Sequence, residues 1–534
     1  MNSKDLIING KTALGIEFGS TRIKGVLIDF EGNVLASGWH EWENSFVNGV
    51  WTYPLEEVWQ GLRSCYSALR KDVEKKYDVT PKTFGAIGIS AMMHGYIALD
   101  KNDKQLAPFQ TWRNTNTEKS TDILTDLFQF NIPLRWSVAH LYQRILDGEE
   151  HVKNISSVFT LAAYVHYKLT GEKVIGIGDA SGMFPIDSER LDYDEGMVKN
   201  FDDLLKKSGH EELKLREVFP KVLVAGDEAG KLTVEGAKLL DETGNLEAGI
   251  SMCPPEGDAG TGMTATNSVA PRTGNLSAGT STFAMIVLEK AKKLSKIYRE
   301  IDMVTTPSGF PCAMSHANNG TTDLNAWVGI FGEFCKLMGV EADAGKLFST
   351  LYTHSLTGDK DCGGLMSFGY YSGENITLIN EGRPIFLRTP ESKFNLANFM
   401  RSHLYASIGA VKLGMDILLK DEGVKLDILM GHGGLFKTPL VMQKFLAAAT
   451  NSPVKVLATA SEGGAWGIAL LAAYLVDGKK FGQLEDYLNE CIFKNLTGEA
   501  VEPDPEEVKG FEIFTERYVK CLEVEKSAIN SMNW

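Results

Sequence analysis

Three places in the sequence carry residue types that could handle a phosphate ester. The first is Gly19-Ser20-Thr21, set between the apolar alternation Leu14, Ile16, Phe18 and the apolar run Val26-Leu27-Ile28. This spacing predicts a β-hairpin over 14–29 whose tip holds a glycine and two hydroxyls. Glycine lets the backbone approach a ligand closely, and the amides and hydroxyls can cradle phosphate. The carboxylate of Glu17, just ahead of the turn, could reach a Mg²⁺ bound to that phosphate, directly or through water. The second place is Gly279-Thr280-Ser281 within GNLSAGTSTFAMIVLE, which repeats the first pattern with Gly279 on Gly19, Thr280 on Ser20 and Ser281 on Thr21. Such an internal repeat implies two related halves, each presenting a hairpin to a shared cleft, and two facing hairpins can grip a nucleoside triphosphate. The third place is Asp258, in the Gly/Pro-rich run 253–262 between the halves. A carboxylate there could accept the proton of a substrate hydroxyl as its oxygen attacks a γ-phosphoryl group. It could equally bond its own backbone in a turn.

Other candidates are weaker alone. Gly431-His432-Gly433-Gly434, expected between the strand Leu426–Met430 and a helix from Pro439, would let a flat ligand approach backbone, or would simply make a tight connection. The helix start Glu462-Gly463-Gly464-Ala465 has small residues that could leave room for an adenine face. His94 ends a buried-looking strand, where it is either a ligand contact or a hydrogen-bonded filler. Trp112-Arg113-Asn114 offers an indole face for a sugar's C–H surface and donors for its hydroxyls, or else anchors a surface loop. No GxGxxG with a following acidic residue and no GxxxxGK[ST] loop is present.

The elements that must position these residues read as alternating α and β. A strand is expected at Val34–Trp39, a helix over 53–74 started by Pro54, and buried strands at Phe84–Ser90 and Tyr96–Asp100. Helices are expected over 134–147 and 157–170, the second capped by Gly171, followed by a Gly-rich loop over 174–187. The run 253–262 reads as a linker, and 305–325 and 355–383 as irregular polar loops. A long helix is expected from Phe394 to Leu419, a strand at Val454–Leu457, an Ala-rich helix over 463–474, and amphipathic helix in the tail. At 534 residues the chain exceeds one core. A formal charge of -15 argues against a nucleic-acid partner. Seven cysteines without framework spacing read as reduced, and no apolar run is long enough for a signal peptide or membrane span, so a cytoplasmic protein is expected.

In this order the pieces resemble the FGGY carbohydrate kinases, of the hexokinase, actin and chaperone-ATPase superfamily, from about Thr12 to Asp477. The hairpin 16–25 is similar to the family's first phosphate motif and Leu276–Ser281 to its second. Met93-His94-Gly95 resembles the segment that meets the sugar in the xylulokinase-like branch. Leu169-Thr170-Gly171 with Asp179-Ala180-Ser181-Gly182 resembles the family's "LTG…DAS" stretch, and Gly257-Asp258-Ala259 the position of its catalytic base. Gly433-Gly434 and Gly463-Gly464-Ala465-Trp466-Gly467 resemble its adenosine-site glycines and the following helix. Two departures stand out: Glu17 replaces the usual Asp, and Asn114-Thr115-Asn116 replaces Asp-x-Arg in the loop after the Trp.

The resemblance implies an α/β chain of two actin-like, ribonuclease H-like domains around a cleft. Residues 12–265 would bind sugar and 266–478 nucleotide, with 479–534 a helical extension. It implies ATP and Mg²⁺ as cofactors, with Asp258 as general base and, with Glu17, at the metal. Phosphate and nucleotide would meet Gly19, Ser20, Thr21, Lys24, Gly279, Thr280, Ser281, Gly433, Gly434, Gly463 and Gly464. The sugar would meet Met93, His94, Gly95, Trp112, Arg113, Asn114 and Asp258. A ketopentose such as xylulose or ribulose is expected; a deoxyketose, glycerol-like polyol, or a non-catalytic sensor of the same fold is the alternative. A chaperone- or filament-type ATPase would not need the Trp loop. A homodimer is left open.

Overall fold

The computed structural model describes residues 2–290, 292–457, 463–495 and 498–532. Strands β1 (Ala13–Phe18) and β2 (Arg22–Ile28) form the expected antiparallel hairpin. Strand β3 (Val34–Glu41) continues it on one side, and β4 (Ala86–Ala91) lies parallel to β1 on the other. A parallel neighbour requires a crossover. Helix Leu55–Tyr77 supplies it, burying Val58, Leu62, Tyr66, Leu69 and Val73 on one face, with Glu56 and Glu57 in its first turn and Lys75 and Lys76 in its last. Short segments Ser251–Met252 and Glu256–Gly257 pair with β4 and complete a six-stranded sheet.

The second half repeats this plan. Strands β5 (Thr273–Ala278) and β6 (Thr282–Val287) form a hairpin, β7 (Pro311–Ala317) extends it antiparallel, and β8 (Ile428–Gly433) lies parallel to β5. The match is not perfect: Gly19–Arg22 separate the paired Phe18 and Ile23, whereas only Gly279–Ser281 separate Ala278 and Thr282. The internal duplication therefore holds in topology, with the first tip one residue longer than the second.

Glycines fasten helix Gly463–Val476 to the first sheet. A Cβ on Gly15 would lie 2.2 Å from Ala465 O and 2.6 Å from Ala469 N, and one on Gly467 2.0 Å from Thr261 O. The helix is apolar almost all round and buried from Gly464 to Tyr474, as a helix inside a core should be. Trp466, Ile468, Leu470 and residues of 484–493 join the core of the first sheet, while Phe511, Phe514 and Tyr518 of helix Pro505–Ser531 join the second. Arg401 and Glu507 form a buried ion pair that ties this terminal helix to helix Leu396–Asp416.

Four expectations need correction. Residues 157–159 are a short strand, and the helix begins only at Leu161 behind the Thr160 cap; Gly171 ends it in the left-handed region as expected. The run 253–262 is no linker: Glu256–Gly257 pairs with β4 and a helix starts at Asp258 and runs to Ala265. Its glycines are poor helix formers, and packing against Gly463–Val476 compensates for them. The stretch 305–325 contains β7, whose side chains are buried on both faces and so lack the alternation that marks a strand. The strand near 426 starts at Ile428 and runs through Gly433 rather than ending before the glycines.

Since backbone, not a flexible side chain, occupies the space beside Gly15, Gly15→Ala should lower stability by about 1–3 kcal/mol through overpacking. Equal melting curves for the variant and wild type would contradict this account of the helix–sheet contact.

Candidate active site

Asp258 is the first residue of its helix, behind Gly257 at the N-cap, and its side chain is open to solvent. Its Oδ1 accepts the Met93 amide at 3.2 Å. A Cβ on Gly257 would lie 2.1 Å from Met93 Cγ, so the glycine is the space into which Met93 packs. His94 (φ 69°) and Gly95 (φ 97°) are both left-handed and turn the chain sharply after β4. The His94 ring points inward, with Nδ1 3.2 Å from Gly182 O and the ring stacked beside Trp136, and burial holds its pKa well below normal. This segment thus offers a shaped backbone rather than a titrating imidazole.

Glu256 and Asp179 lie beneath. The Glu256 carboxylate accepts the amides of Gly178 (3.1 Å), Asp179 (2.9 Å) and Gly257 (3.3 Å), while Asp179 Oδ2 accepts the Thr160 hydroxyl at 2.6 Å. The DAS-like turn, the Met-His-Gly segment and the Asp258 helix are thereby locked together.

Glu17 stands in a row across the sheet, directly opposite Lys24 on β2 and Ser90 on β4. Its Oε2 accepts the Ala465 amide at 3.1 Å, placing the carboxylate at the N-terminus of helix Gly463–Val476. Ser90 Oγ is 3.1 Å from Thr261 Oγ1, which joins this row to the Asp258 helix. Burial is the main cause raising Glu17 to about 7, with the charge of Asp258 adding to it and the Ala465 amide and Lys24 opposing. Although its side chain reaches solvent, the surrounding protein displaces enough water to raise Asp258 to about 6, against the lowering effect of the Met93 amide and other backbone donors and of Arg135. Two hard oxygen donors, Glu17 and Asp258, fit Mg²⁺, which prefers to complete its shell with water and phosphate oxygens. Among the described residues no cluster of three or more His, Cys, Asp or Glu could hold a metal without such help.

The first hairpin tip is pinned from behind: Trp42 Nε1 donates to Gly19 O at 2.7 Å and Tyr53 OH to Ser20 O at 2.6 Å. The second is braced by the amides of Gly320 and Thr321, which donate to Thr280 O (2.8 Å) and Gly279 O (3.0 Å). Exposed Gly433 (φ 100°) and Gly434 lie against the same tip; a Cβ on Gly433 would come 2.4 Å from Ala278 O. Each sheet therefore joins a hairpin tip to a left-handed turn at the end of the neighbouring parallel strand.

Three expected ligand contacts are otherwise engaged. Asn114 is buried, donating to Trp51 O (2.7 Å) and accepting from Trp51 N (2.9 Å), so it pegs the loop to strand Val50–Thr52 and is not free for sugar. Arg113 stacks on Trp51 at 3.6 Å and donates to Asn44 Oδ1 at 3.0 Å. Gly464 leaves no room for adenine, because a Cβ there would lie 2.2 Å from Glu17 Oε1 and 2.7 Å from Thr261 Oγ1; its smallness serves helix–carboxylate packing. Gly463, half-buried, begins the same helix, and Glu462 lies outside the described residues. Trp112 remains 38% exposed, with its indole N–H 3.4 Å from Ser20 Oγ beside the first tip. Sequence reasoning missed Trp42, Tyr53, Glu256 and Arg135. Arg135 pairs with Asp302 on strand Ile301–Thr305, across the two halves.

Two hairpins of one plan, the first carrying Glu17 next to the solvent-open Asp258, define the class: a two-lobed phosphotransferase. The chain belongs to the FGGY family of carbohydrate kinases, whose N-terminal domain matches residues 12–244 and whose C-terminal domain matches 274–476. It is 23% identical over 521 residues to a xylulose kinase of Haemophilus influenzae, covering 95% of this chain and 99% of that one. It is 20% identical to a ribulokinase of Shouchella clausii, at 95% and 94% coverage. Its fold matches a ligand-bound xylulose kinase structure from Lactobacillus acidophilus with a TM-score of 0.77 at 16% identity, covering 96% of this chain and 98% of that one. No helix among the described residues is long and apolar enough to cross a membrane.

Glu17, Glu256 and Asp258 all hold protons to higher pH folded than unfolded. Their stabilising contribution is full below the ordinary carboxylate range and is lost as pH rises through about 6 to 7. Melting temperature in the absence of ligands should therefore fall across this window, and Glu17→Gln should flatten the fall. A melting temperature that climbs steadily through it would show that these carboxyls are not crowded as described.

Proposed function

We propose that this chain transfers the γ-phosphoryl group of ATP to a terminal hydroxyl of a ketopentose, xylulose foremost and ribulose next. The reading rests above all on Asp258, a solvent-open carboxyl raised to about 6 beside both the Met93–Gly95 turn and Glu17. Full-length similarity to proteins named xylulose kinase and ribulokinase supports the acceptor class. Residues 12–265 would carry the sugar and 266–478 the nucleotide.

In this mechanism the sugar hydroxyl sits against Asp258. Its oxygen attacks the γ-phosphorus, the bond to the ADP oxygen breaks, and the hydroxyl proton passes to the Asp258 carboxylate. The tips Gly19–Thr21 and Gly279–Ser281 hold phosphate oxygens, Lys24 adds positive charge near them, and Gly433-Gly434 admit the nucleoside. Glu17 and Asp258 are the carboxylates that would hold Mg²⁺, which neutralises charge on the phosphates when bound. Closure of the lobes excludes water, so that ATP is spent on sugar. Asn114 favours a change in acceptor recognition. A carboxylate at its position could not donate to Trp51 O, so here the loop is held by an amide and the sugar is left to Trp112 and the backbone near Met93.

Coupled ADP release over a panel of ketoses, deoxyketoses and polyols, with Mg²⁺, tests the function. Xylulose should stimulate release most, and chelation should abolish it. A polyol preferred over every ketose would overturn the acceptor, and no sugar-stimulated ADP would identify a sensor instead. Asp258→Asn should cost at least about a hundredfold in turnover, the scale of a lost general base. In wild type kcat/KM should rise with pH through about 6, as Asp258 must be ionised to act. Near-normal turnover by the Asn variant would remove Asp258 from this role.

A further inference from the structure

The two halves meet around a cavity of about 400 Å³ that the proposed transfer does not use. Its wall comes from residues within 115–135 of the first half and within 299–316 and 374–380 of the second; Met93, His94, Trp112 and Asp258 are not part of it. Two ion pairs frame it, Arg135 with Asp302 and Arg299 with Asp122 at 3.0 Å, each joining one half to the other. Asn131 Nδ2 adds a bond to Ile301 O at 3.0 Å. Two polar atoms in this wall are left over, one from each half. Thr121 is buried, and its hydroxyl has no hydrogen-bond partner among the described residues. Glu374 is 0% exposed, and its Oε2 accepts the amides of Asn318 (2.9 Å) and Asn319 (3.3 Å) and the Asn319 side chain (3.2 Å). Its Oε1 has no partner among the described residues. A buried polar atom left unpaired is costly, so both atoms call for a partner from outside the chain.

We infer that this cavity is a second ligand site, which takes an uncharged polyhydroxy compound and bonds it to Thr121 of one half and Glu374 of the other. Charge sets the class. Glu118, Asp122, Glu300, Asp302 and Glu374 face only Arg135 and Arg299, and both guanidiniums are already paired. A phosphorylated sugar or a nucleotide is therefore repelled. Among the described residues no three acidic or imidazole groups converge to hold a metal ion. A hydroxyl suits both leftover atoms, because it donates to the Glu374 oxygen and can accept from Thr121. The rest of the wall fits the carbons between the hydroxyls. Ile132, Pro133 and Leu378 offer apolar contact, and the Asn375 and Asn380 amides lie beside them.

Occupancy of the site reaches the second phosphate tip. Glu374 holds Asn318 and Asn319, and the next two amides along the chain, of Gly320 and Thr321, are those that brace Thr280 O and Gly279 O. A hydroxyl bound at Glu374 fixes the strand end on which that tip rests. A ligand held by both halves also favours the arrangement in which they are together. Sugar-class compound and nucleotide then bind each other's form of the protein better than they bind the empty one.

Titration calorimetry of the full chain with xylitol, an uncharged five-carbon polyol, tests the assignment. Wild type should bind one more xylitol per chain than Leu378→Trp, whose indole fills the cavity from its rim, and one more than Asn375→Trp. Both side chains are exposed, Leu378 by 73%, so both variants should keep the wild-type circular dichroism spectrum and melting temperature. Saturating xylitol should tighten ADP binding to wild type by about fivefold, and both variants should lose that gain. Equal xylitol stoichiometry in wild type and the two variants, whether one or none, would overturn the proposal. So would xylitol 5-phosphate filling the same site as tightly as xylitol, or a gain in ADP affinity that survives both variants. No turnover is read, so a wrong acceptor in the preceding section would not produce any of these failures.

Discussion

Crowding of negative charge at one end of the first sheet is the constraint on which the rest depends. Glu17, Asp179, Glu256 and Asp258 come together where protein replaces water, and each is raised above its ordinary pKa. Such a group is unfavourable unless something neutralises it: protons, backbone amides or a cation. The fold supplies the amides. Those of Gly178, Asp179 and Gly257 converge on Glu256, Ala465 serves Glu17, and Met93 serves Asp258. The structural carboxylate, Glu256, is buried and given over to its amides, whereas Asp258 is left open to solvent and raised to about 6. That division separates a carboxylate that holds the scaffold from one that can exchange a proton.

These five amides come from four separate segments, which explains the demand for glycine around the site. Gly257 admits Met93, Gly464 admits the Glu17 carboxylate and Gly15 admits the backbone of helix Gly463–Val476. The left-handed turn at His94–Gly95 and the one at Gly433 serve the same purpose in the two halves, ending a central parallel strand beside a hairpin tip. Duplication thus extends from the motif to the way each strand end is bent.

Much of this was legible in the sequence, for physical reasons. The tips showed because alternation, glycine and hydroxyls coincide there, and because the pattern occurs twice. Asp258 showed because Pro and Gly surround it, although those same residues disguised the start of a helix as a linker. β7 was hidden because both of its faces are buried. Trp42 and Tyr53 pin the first tip through carbonyls distant in sequence, and no local pattern signals such a bond. Asn114 misled in the opposite direction. Its amide looks suited to sugar hydroxyls, but the Trp51 backbone of a neighbouring strand claims it first. Arg135 sat unremarked in a helical stretch because its partner, Asp302, lies in the other half.

The route of the chain carries a further consequence. Its first sheet is laid down near the N-terminus, yet the helix that seals that sheet is Gly463–Val476, and the segment 484–493 that packs beside it comes later still. A ribosome therefore releases the opening strands long before their cover exists. The nascent chain must carry an unsealed apolar sheet face until residues 463–493 have been made, so termination before 463 leaves the first core unfinished.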